Sequence, residues 1–357
     1  NINDDSEIKL SYTANRSDEV LYPAGSMDAD YDDSNIYTVG YTARNIGTFS
    51  KELNLDYYYS DVEHPMSTAL RESKKEIIGG TMMMPKYGDY YTNVAHYKTS
   101  VWGTKLKNSM EIADSLVTLG LDTSVRNWRG ENYTINRRTG DERVGSINMM
   151  NRYSSTTTSS LKSTDTTNKA TFAKVEKSFG KLDLEVGTRY DYTDVDSSDI
   201  TKLDKKYTAL NGNIFGIYNV DKDMKYFAGV GKSARVPDAR ELYNTGGMSA
   251  QGNSDLEDTK NYEADLGFDK TIGSFNVRPK LFYSVLKDYI YNTGTNFENI
   301  DGKIYGLDIS GFYFLTDNLS LDYGVAYQRG KKDEPLVGQT DKDLAEIPPL
   351  KGNLAFN

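Results

Sequence analysis

The sequence contains no cysteine, which excludes a disulfide framework and a thiolate metal site within these 357 residues. Histidine is almost as scarce, since His64 and His96 are the two in the chain. No Ser/His/Asp set, zinc spacing or paired-carboxylate cleft can be assembled from this inventory, so the sequence indicates a protein that is not an enzyme. No apolar run reaches the roughly 18 residues that a membrane-spanning helix needs, although membrane strands need no such run.

Positive charge is also in short supply. Lysine and arginine number 42 against 52 acidic residues, which gives a net charge of -10 and a pI near 4.9. Nucleic acid is a poor partner for such a surface, because phosphate binding requires a basic one. A cation is the more natural ligand. The first residues show neither a basic segment nor an apolar segment of a signal peptide, so we expect a mature or cut chain.

Aromatic residues are abundant, at 12% of the chain with 28 tyrosines, and prolines number only 8. This composition is not that of a disordered protein. Apolar residues recur with period two, as in "LDLEVGTRYDYT" from residue 182, where an apolar face opposes a charged one. The same alternation returns in 319–328 and 52–60. Such segments predict an antiparallel all-β fold.

Reading every alternating segment in this way predicts about fourteen strands. Their predicted bounds are 7–16, 36–46, 50–62, 95–107, 113–127, 168–179, 182–195, 207–220, 225–236, 261–272, 275–292, 304–314, 318–329 and 347–357.

The connections between these strands alternate between long and short along the chain. Long connections are predicted at 17–35, 63–94, 128–167, 196–206, 237–260, 293–303 and 330–346, and short turns lie between them. Long loops therefore collect at one end of the sheet. This asymmetry, with tyrosines at strand ends, is typical of a membrane-spanning, antiparallel, up-and-down β-barrel of the Gram-negative outer membrane with long extracellular loops. A soluble sandwich, lectin or propeller is the alternative, but no blade repeat is visible.

Five segments, taken in order, resemble the C-terminal half of the barrel of TonB-dependent outer-membrane receptors. They read "GKSARVPDARELY" (231–243), "GNSDLEDTKNYEADLGF" (252–268), "LFYSVLKDYIY" (281–291), "IYGLDISGFYFLTDNLSLDYGVAY" (304–327) and "EIPPLKGNLAF" (346–356). The resemblance implies an active transporter that imports a scarce cargo. Two residue roles are expected from the chemistry: Arg235 and Arg240 anchor the loop at Pro237, and Gly306-x-Asp308 begins an inward-facing run.

The same resemblance implies a 22-stranded barrel around an N-terminal plug. Residues 1–357 then form a partial barrel, without the plug, about five preceding strands and three following ones. The implied partners are TonB with ExbB–ExbD, acting through the missing plug, and outer-membrane lipid or lipopolysaccharide. A monomer is expected.

Two further segments resemble the copper-receptor subfamily, namely "DEVLYPAGSMDADYDDS" (18–34) and "DYYYSDVEHPMSTALR" (56–71). The resemblance implies that His64 and Met66 bind copper, together with a Cys-xxx-Met set in the missing N-terminal part. Imidazole and thioether ligands favour soft Cu(I). In an extended strand the two side chains point to the same side, and Pro65 falls where strand pairing is expected to end. His96 is interpreted as structural.

Other methionines are secondary candidates for the copper path: Met82, Met83 and Met84 in one loop, and Met27 in another. The acidic run "DADYDDSN" (28–35) has the composition of a calcium loop but lacks the glycine and glutamate of an EF-hand, so calcium is a minor possibility. The plain alternative for His64 is a solvated polar residue, and for the methionines it is packing.

Two other functions stay open. A ferric-siderophore receptor would use aromatic and arginine side chains in the lumen, with Trp102 and Trp128 as candidates. A passive porin-like barrel would need neither plug nor the Pro-Asp-Ala-Arg-Glu-Leu-Tyr segment.

Overall fold

A computed structural model of the chain describes residues 2–23, 25, 27–70, 91–136, 158–245 and 250–357. These residues form one sheet of 14 strands, in which each strand pairs with its neighbours along the chain in antiparallel fashion. The strands are β1 (Ser6–Val20), β2 (Asp28–Arg44), β3 (Ser50–Ser67), β4 (Tyr91–Ile112), β5 (Ser115–Asn136), β6 (Thr158–Phe179), β7 (Leu182–Ser197), β8 (Lys205–Asp221), β9 (Met224–Arg235), β10 (Thr259–Ile272), β11 (Phe275–Asn292), β12 (Phe297–Thr316), β13 (Leu319–Lys332) and β14 (Lys351–Phe356). The predicted all-β fold is confirmed.

The two faces of the sheet differ in chemistry. On β7 the predicted apolar set is exposed, as at Leu182, Val186 and Tyr190, whereas Asp183 and the other residues of the charged set are half-buried. Cross-strand pairing carries each set onto one continuous face. We call the face with the exposed apolar residues the outer face and the opposite one the inner face. The inner side chains are crowded by neighbours and paired in ion pairs, as expected for the concave side of a barrel wall.

Connections at one end of the sheet are short, as predicted, but two of the connections predicted to be long, 17–35 and 293–303, are reduced to 21–27 and 293–296. Two residues separate β4 from β5, β6 from β7, β8 from β9, β10 from β11 and β12 from β13. Gly180 and Gly273 occupy these turns with φ of +62° and +58°, a backbone conformation that favours glycine. At the other end lie the long connections, including 68–90, 137–157, 236–258 and 333–350.

Several predicted strand bounds were too short at the end with the long connections. β3 runs to Ser67 rather than residue 62, β4 begins at Tyr91 rather than 95, and β6 begins at Thr158 rather than 168. In these extensions polar residues replace the apolar ones, so the hydropathy signal fades although backbone pairing continues. The segment 28–35 was predicted as loop and is the start of β2. β14 is shorter than predicted, because it starts only after Pro348 and Pro349.

The segment 236–258 folds against the inner face near this end. It contains the five-residue helix α1 (Ala239–Tyr243), which begins with a capping box between Asp238 and Glu241. In the described part of the chain no helix is long and apolar enough to cross a membrane. Buried residues of the segment pack with residues of β6, β7, β8, β11 and β12; the cluster comprises Leu161, Val195, Tyr207, Ala239, Leu242, Tyr243, Ala250, Leu256, Ile290 and Phe297.

Arg235 and Glu241 tie this segment to the end of β9. The two terminal nitrogens of Arg235, Nη1 and Nη2, donate to the Glu241 carboxylate at 2.8 and 2.9 Å. The anchoring role predicted for Arg235 is therefore confirmed. Arg240 lies within α1, where its carbonyl accepts a hydrogen bond from the backbone N–H of Asn244 at 3.2 Å.

Glycines of the inner face lie beneath aromatic rings of neighbouring strands. Any Cβ at Gly120 or Gly306 would overlap the ring of Phe172 or Phe282, so only glycine lets the ring lie against the backbone. Further pairs of the same kind are Gly103 with Tyr58, Gly130 with Tyr97, Gly229 with Phe215, and Gly267 with Phe227. The position of Gly306, opposite Gln328 on the inner face, confirms the expected inward-facing run through Asp308.

Candidate metal-binding site at the barrel rim

His64 and Met66 lie at the C-terminal end of β3, and both side chains are on the inner face. The β3–β4 register is unbroken from Glu52 to Ser67, so the alternation that places Leu55 and Tyr57 outside places His64 and Met66 inside. His64 pairs with Tyr97, whose side chain packs against the inner apolar cluster. The prediction that the two residues share a side is thus matched by the structure, and that side is the inner one.

Polar and aromatic neighbours surround the His64 ring. Nδ1 lies 3.5 Å from Oδ2 of Asp32, and 28% of the His64 side chain is exposed. The ring of Tyr22 meets the imidazole edge-on, with centroids 6.4 Å apart and planes at 83°. Met66 is half-buried and pairs with Ala29 on β2 and Ala95 on β4. A nitrogen and a sulfur donor therefore lie two residues apart on the same face, and the small residues here are those beside Met66.

Strand pairing continues past Pro65, contrary to the prediction that it ends there. Pro65 is opposite His96 in the β3–β4 ladder. On the other side, the β2–β3 register shifts between Ala29 and Asp33, which is a β-bulge opposite Pro65. A bulge is one of the places in a sheet where the missing N–H of proline is tolerated. The bulge in β2, rather than the end of the ladder, accommodates the proline.

The outer face carries a separate polar network at the same height, above the exposed Trp102. The Glu63 carboxylate accepts hydrogen bonds from the Tyr31 hydroxyl at 2.8 Å and Lys98 Nζ at 2.9 Å, and contacts His96 Nε2 at 2.7 Å. The hydrogen bond from Lys98, followed by those from Tyr31 and His96, holds the pKa of Glu63 down to about 2. Burial, together with the bond to Glu63, raises the pKa of Tyr31 to about 12. His96 has a structural partner, as interpreted from the sequence.

Of the other predicted metal ligands, Met27 alone lies in the described residues. Met27 is half-buried and precedes Asp28, which pairs with Ser67, so its backbone continues just beyond Met66. Met82, Met83 and Met84 fall in 71–90, outside the described residues, so their role stays a prediction.

The acidic run 28–35 does not form the calcium loop considered from its composition. It is strand backbone, and its carboxylates diverge: Asp30 accepts from Ser67 at 2.5 Å, while Asp33 faces Arg16 on the outer face. Across the ranges that the structure covers, no group of three or more His, Cys, Asp or Glu side chains is gathered as a metal site.

Of the two tryptophans considered for a siderophore site, only one faces inward. Trp102 is on the outer face opposite Tyr59 and is 43% exposed, so its proposed lumenal role is wrong. Trp128 is on the inner face, where the Arg126 guanidinium stacks over its ring at 4.4 Å. Tyr97 and Trp128 both pack against the inner cluster.

Below the rim the inner face holds a groove of about 640 Å³. Lys174 and Glu185, 3.4 Å apart, both line it, and so does Asp265, which pairs with Lys280 at 3.0 Å. The side-chain oxygens of Asn211 and Asn261 are buried in its lining without a hydrogen-bond partner among the described residues.

A single sheet of long antiparallel strands, apolar outside and charged inside, with the two-residue turns at one end, defines the wall of an outer-membrane β-barrel. The whole chain, residues 1–357, matches the family described as "TonB dependent receptor-like, beta-barrel". The chain belongs to this family of TonB-dependent receptors, which are transporters of the Gram-negative outer membrane and not enzymes.

Solved structures with the same fold include receptors for different cargo. The copper transporter OprC is 19% identical, with a TM-score of 0.77 over 99% of this chain and 53% of that one. The FrpB iron transporter from Neisseria meningitidis is 14% identical, with a TM-score of 0.67 over 92% of this chain and 49% of that one. The ferripyoverdine receptor of Pseudomonas aeruginosa is 12% identical, with a TM-score of 0.65 over 100% of this chain and 50% of that one.

At these identities the likeness establishes the fold. The chain spans about half the length of the structures it matches. No curated protein matches it in sequence.

Sequence reasoning missed two residues of the rim, Asp32 and Glu63. Each is one acidic residue among many in 28–35 and 56–63, and composition alone does not distinguish them. Pairing of β2 with β3 could have indicated Asp32, because it follows the Asp33–Glu63 pair on β2 as His64 does on β3.

Proposed function

We propose that the chain is the central part of an active outer-membrane transporter that imports copper ions. The observation that carries the proposal is the adjacent placement of His64 and Met66 on the inner face, at the end of the wall with the long connections. An imidazole nitrogen and a thioether sulfur are ligands that select soft cations such as Cu(I) over hard ones. The fold likeness to a copper transporter supports the same cargo.

Two protein ligands do not complete a copper site. We propose that the remaining ligands come from a plug domain outside residues 1–357, which would lie within the barrel. The unpaired oxygens of Asn211 and Asn261 support this arrangement, because buried acceptors normally find a donor and a chain segment inside the barrel would supply one. The plug would couple import to TonB and ExbB–ExbD. The receptor would act as a monomer, with outer-membrane lipid against its outer face.

A ferric-siderophore cargo is the second candidate. One observation favours it, namely the stack of Arg126 on Trp128 on the inner face, since such receptors bind bulky anionic chelates with arginine and aromatic side chains. The iron receptors among the structural relatives are consistent with this alternative. The two candidates use different parts of the rim and are therefore separable by mutation.

Copper binding by the full-length receptor tests the proposal. The purified protein is loaded with Cu(I), washed and assayed for bound metal, alongside the double variant His64→Ala, Met66→Ala. We expect about one copper per wild-type receptor and at least a tenfold loss of affinity in the double variant, because two of its ligands are gone.

His96→Gln is the matched control, since His96 lies on β4 at the same rim but on the outer face. It should bind copper as the wild type does. Equal copper content in wild type and double variant would refute the site. The second candidate would be favoured if Trp128→Ala lost uptake of a ferric chelate and no variant took up copper.

A further inference from the structure

We infer that Asp32 is a positioning residue for His64: its carboxylate faces Nδ1 and turns Nε2 of the ring toward the metal ion. The inference rests on the copper function proposed above and adds to it a residue that does not itself touch the metal. The 3.5 Å between Asp32 Oδ2 and His64 Nδ1 is the observation from which it starts.

Strand register puts Asp32 on the inner face from both sides. On β1, Asp32 is opposite Ser17, whose neighbour Arg16 is on the outer face with Asp33. On the β3 side, Asp33–Glu63 is the last regular pair before the bulge, and the residues that follow it, Asp32 and His64, lie close together. Cross-strand neighbours of this kind have Cβ atoms about 5 Å apart, within reach of a carboxylate and an imidazole.

The β2 bulge then separates the carboxylates from the sulfur. In an unbroken register Asp30 would stand opposite Met66, but the shift puts Ala29 there instead. Asp30 accepts a hydrogen bond from Ser67 at 2.5 Å, and Ala29 is fully buried. The histidine therefore has a carboxylate beside it, whereas the thioether has a methyl group. Bulges commonly re-aim side chains next to functional sites.

An imidazole that binds a metal through one nitrogen usually donates the N–H of the other to a carboxylate or carbonyl. Asp32 faces Nδ1, which leaves the lone pair of Nε2 for the metal. The edge-on ring of Tyr22 packs on the same imidazole, at 6.4 Å between centroids, and limits its rotation. The ring is thus contacted on two sides, and Nε2 has no hydrogen-bond partner among the residues that the structure describes.

A double-mutant cycle on the full-length receptor tests this role. Cu(I) affinity is measured by competition with a chromophoric Cu(I) chelator for wild type, Asp32→Asn, His64→Ala and the double variant Asp32→Asn, His64→Ala. We expect Asp32→Asn to weaken binding about 10- to 100-fold, as losses of such outer partners do. In the His64→Ala background the same change should have no further effect, because the ring it positions is absent. Asp32→Glu should restore part of the affinity.

Asp33→Asn is the control, since it changes the adjacent carboxylate on the outer face, 3.8 Å from Arg16. It should leave copper affinity unchanged. If wild type and His64→Ala differ but Asp32→Asn binds as the wild type does, the positioning role is refuted and the copper function stands. An undiminished effect of Asp32→Asn in the His64→Ala background also refutes it, because Asp32 would then act independently of the ring. Absence of copper binding by wild type refutes both proposals.

Discussion

The two histidines of this chain lie at one rim, on adjacent strands, and face opposite sides of the sheet. His96 is on the outer face and contacts the Glu63 carboxylate, which also accepts from Lys98 and Tyr31. His64 is on the inner face, next to Met66 and 28% exposed. The outer rim is stabilised by paired charges, whereas the inner rim combines an apolar cluster with the two proposed copper ligands. One residue of register separates a structural histidine from a candidate ligand.

Truncation of the inner cluster should have the largest effect on stability. Leu242 of α1 is fully buried in the apolar cluster, so Leu242→Ala should lower the free energy of unfolding by about 2–5 kcal/mol through lost burial and a cavity. Urea unfolding of the refolded barrel in lipid would measure it. Leu203→Ala is the control, because Leu203 is 75% exposed and its loss should cost less than about 0.5 kcal/mol. Similar values for both would show that the cluster does not stabilise the rim.

Removal of the charge at Glu63 should have a smaller effect, confined to the outer rim. Glu63→Gln weakens the bonds from Lys98, Tyr31 and His96, and we expect a loss of about 1–2 kcal/mol in the same unfolding assay. Copper binding should be unaffected, since the carboxylate is on the other face. Glu111→Gln, in an exposed pair with Lys51, should change stability by less than about 0.5 kcal/mol. A copper defect in Glu63→Gln would contradict the separation of the two faces.

Acid should abolish the advantage of the wild type over Glu63→Gln. The pKa of Glu63 is lowered from 4.5 to about 2 in the folded protein. A lowered pKa means that the carboxylate stabilises the fold fully above its unfolded value, and that this contribution is lost as pH falls through the folded one. The difference between the two proteins should therefore be constant from pH 7 to about 5 and vanish toward pH 2. Unfolding measured at pH 7, 5 and 3 provides the check, and a constant difference at pH 3 would argue against the network.

Fluorescence quenching should distinguish the faces with the smallest perturbation. Trp102 is exposed on the outer face, whereas Trp128 lies under Arg126 on the inner face. Brominated lipids quench by contact, so Trp102→Phe should remove a lipid-quenched part of the emission and Trp128→Phe should not. The opposite pattern would invert the faces, and with them the side on which His64 lies.

Much of the wall could be predicted from sequence, because its signal is local. The alternation in 182–195 and 275–292 arises because one face of the sheet is apolar and the other is charged. It predicted strands close to β7 and β11. Beyond the membrane this contrast vanishes. The polar ends of β3, β4 and β6 were therefore predicted as loop, although their backbones still pair.

The face of a residue in such a wall is also predictable where the alternation is unbroken, as from Leu53 to Met66. Trp102 shows the limit. Its aromatic side chain suited either a lumenal site or the membrane boundary, and only its register with Tyr59 decides between them. The Asp32–His64 contact depends on pairing between two strands and on a bulge, neither of which the local pattern reports.

The glycine–ring pairs of the inner face keep bulky rings close to the sheet. A ring that lies against a glycine occupies the space where a side chain would otherwise be, close to the sheet. Phe172, Phe215, Phe227 and Phe282 add aromatic surface to the inner face in this way. A side chain at any of these glycines would push the neighbouring ring away from the sheet and into the interior of the barrel.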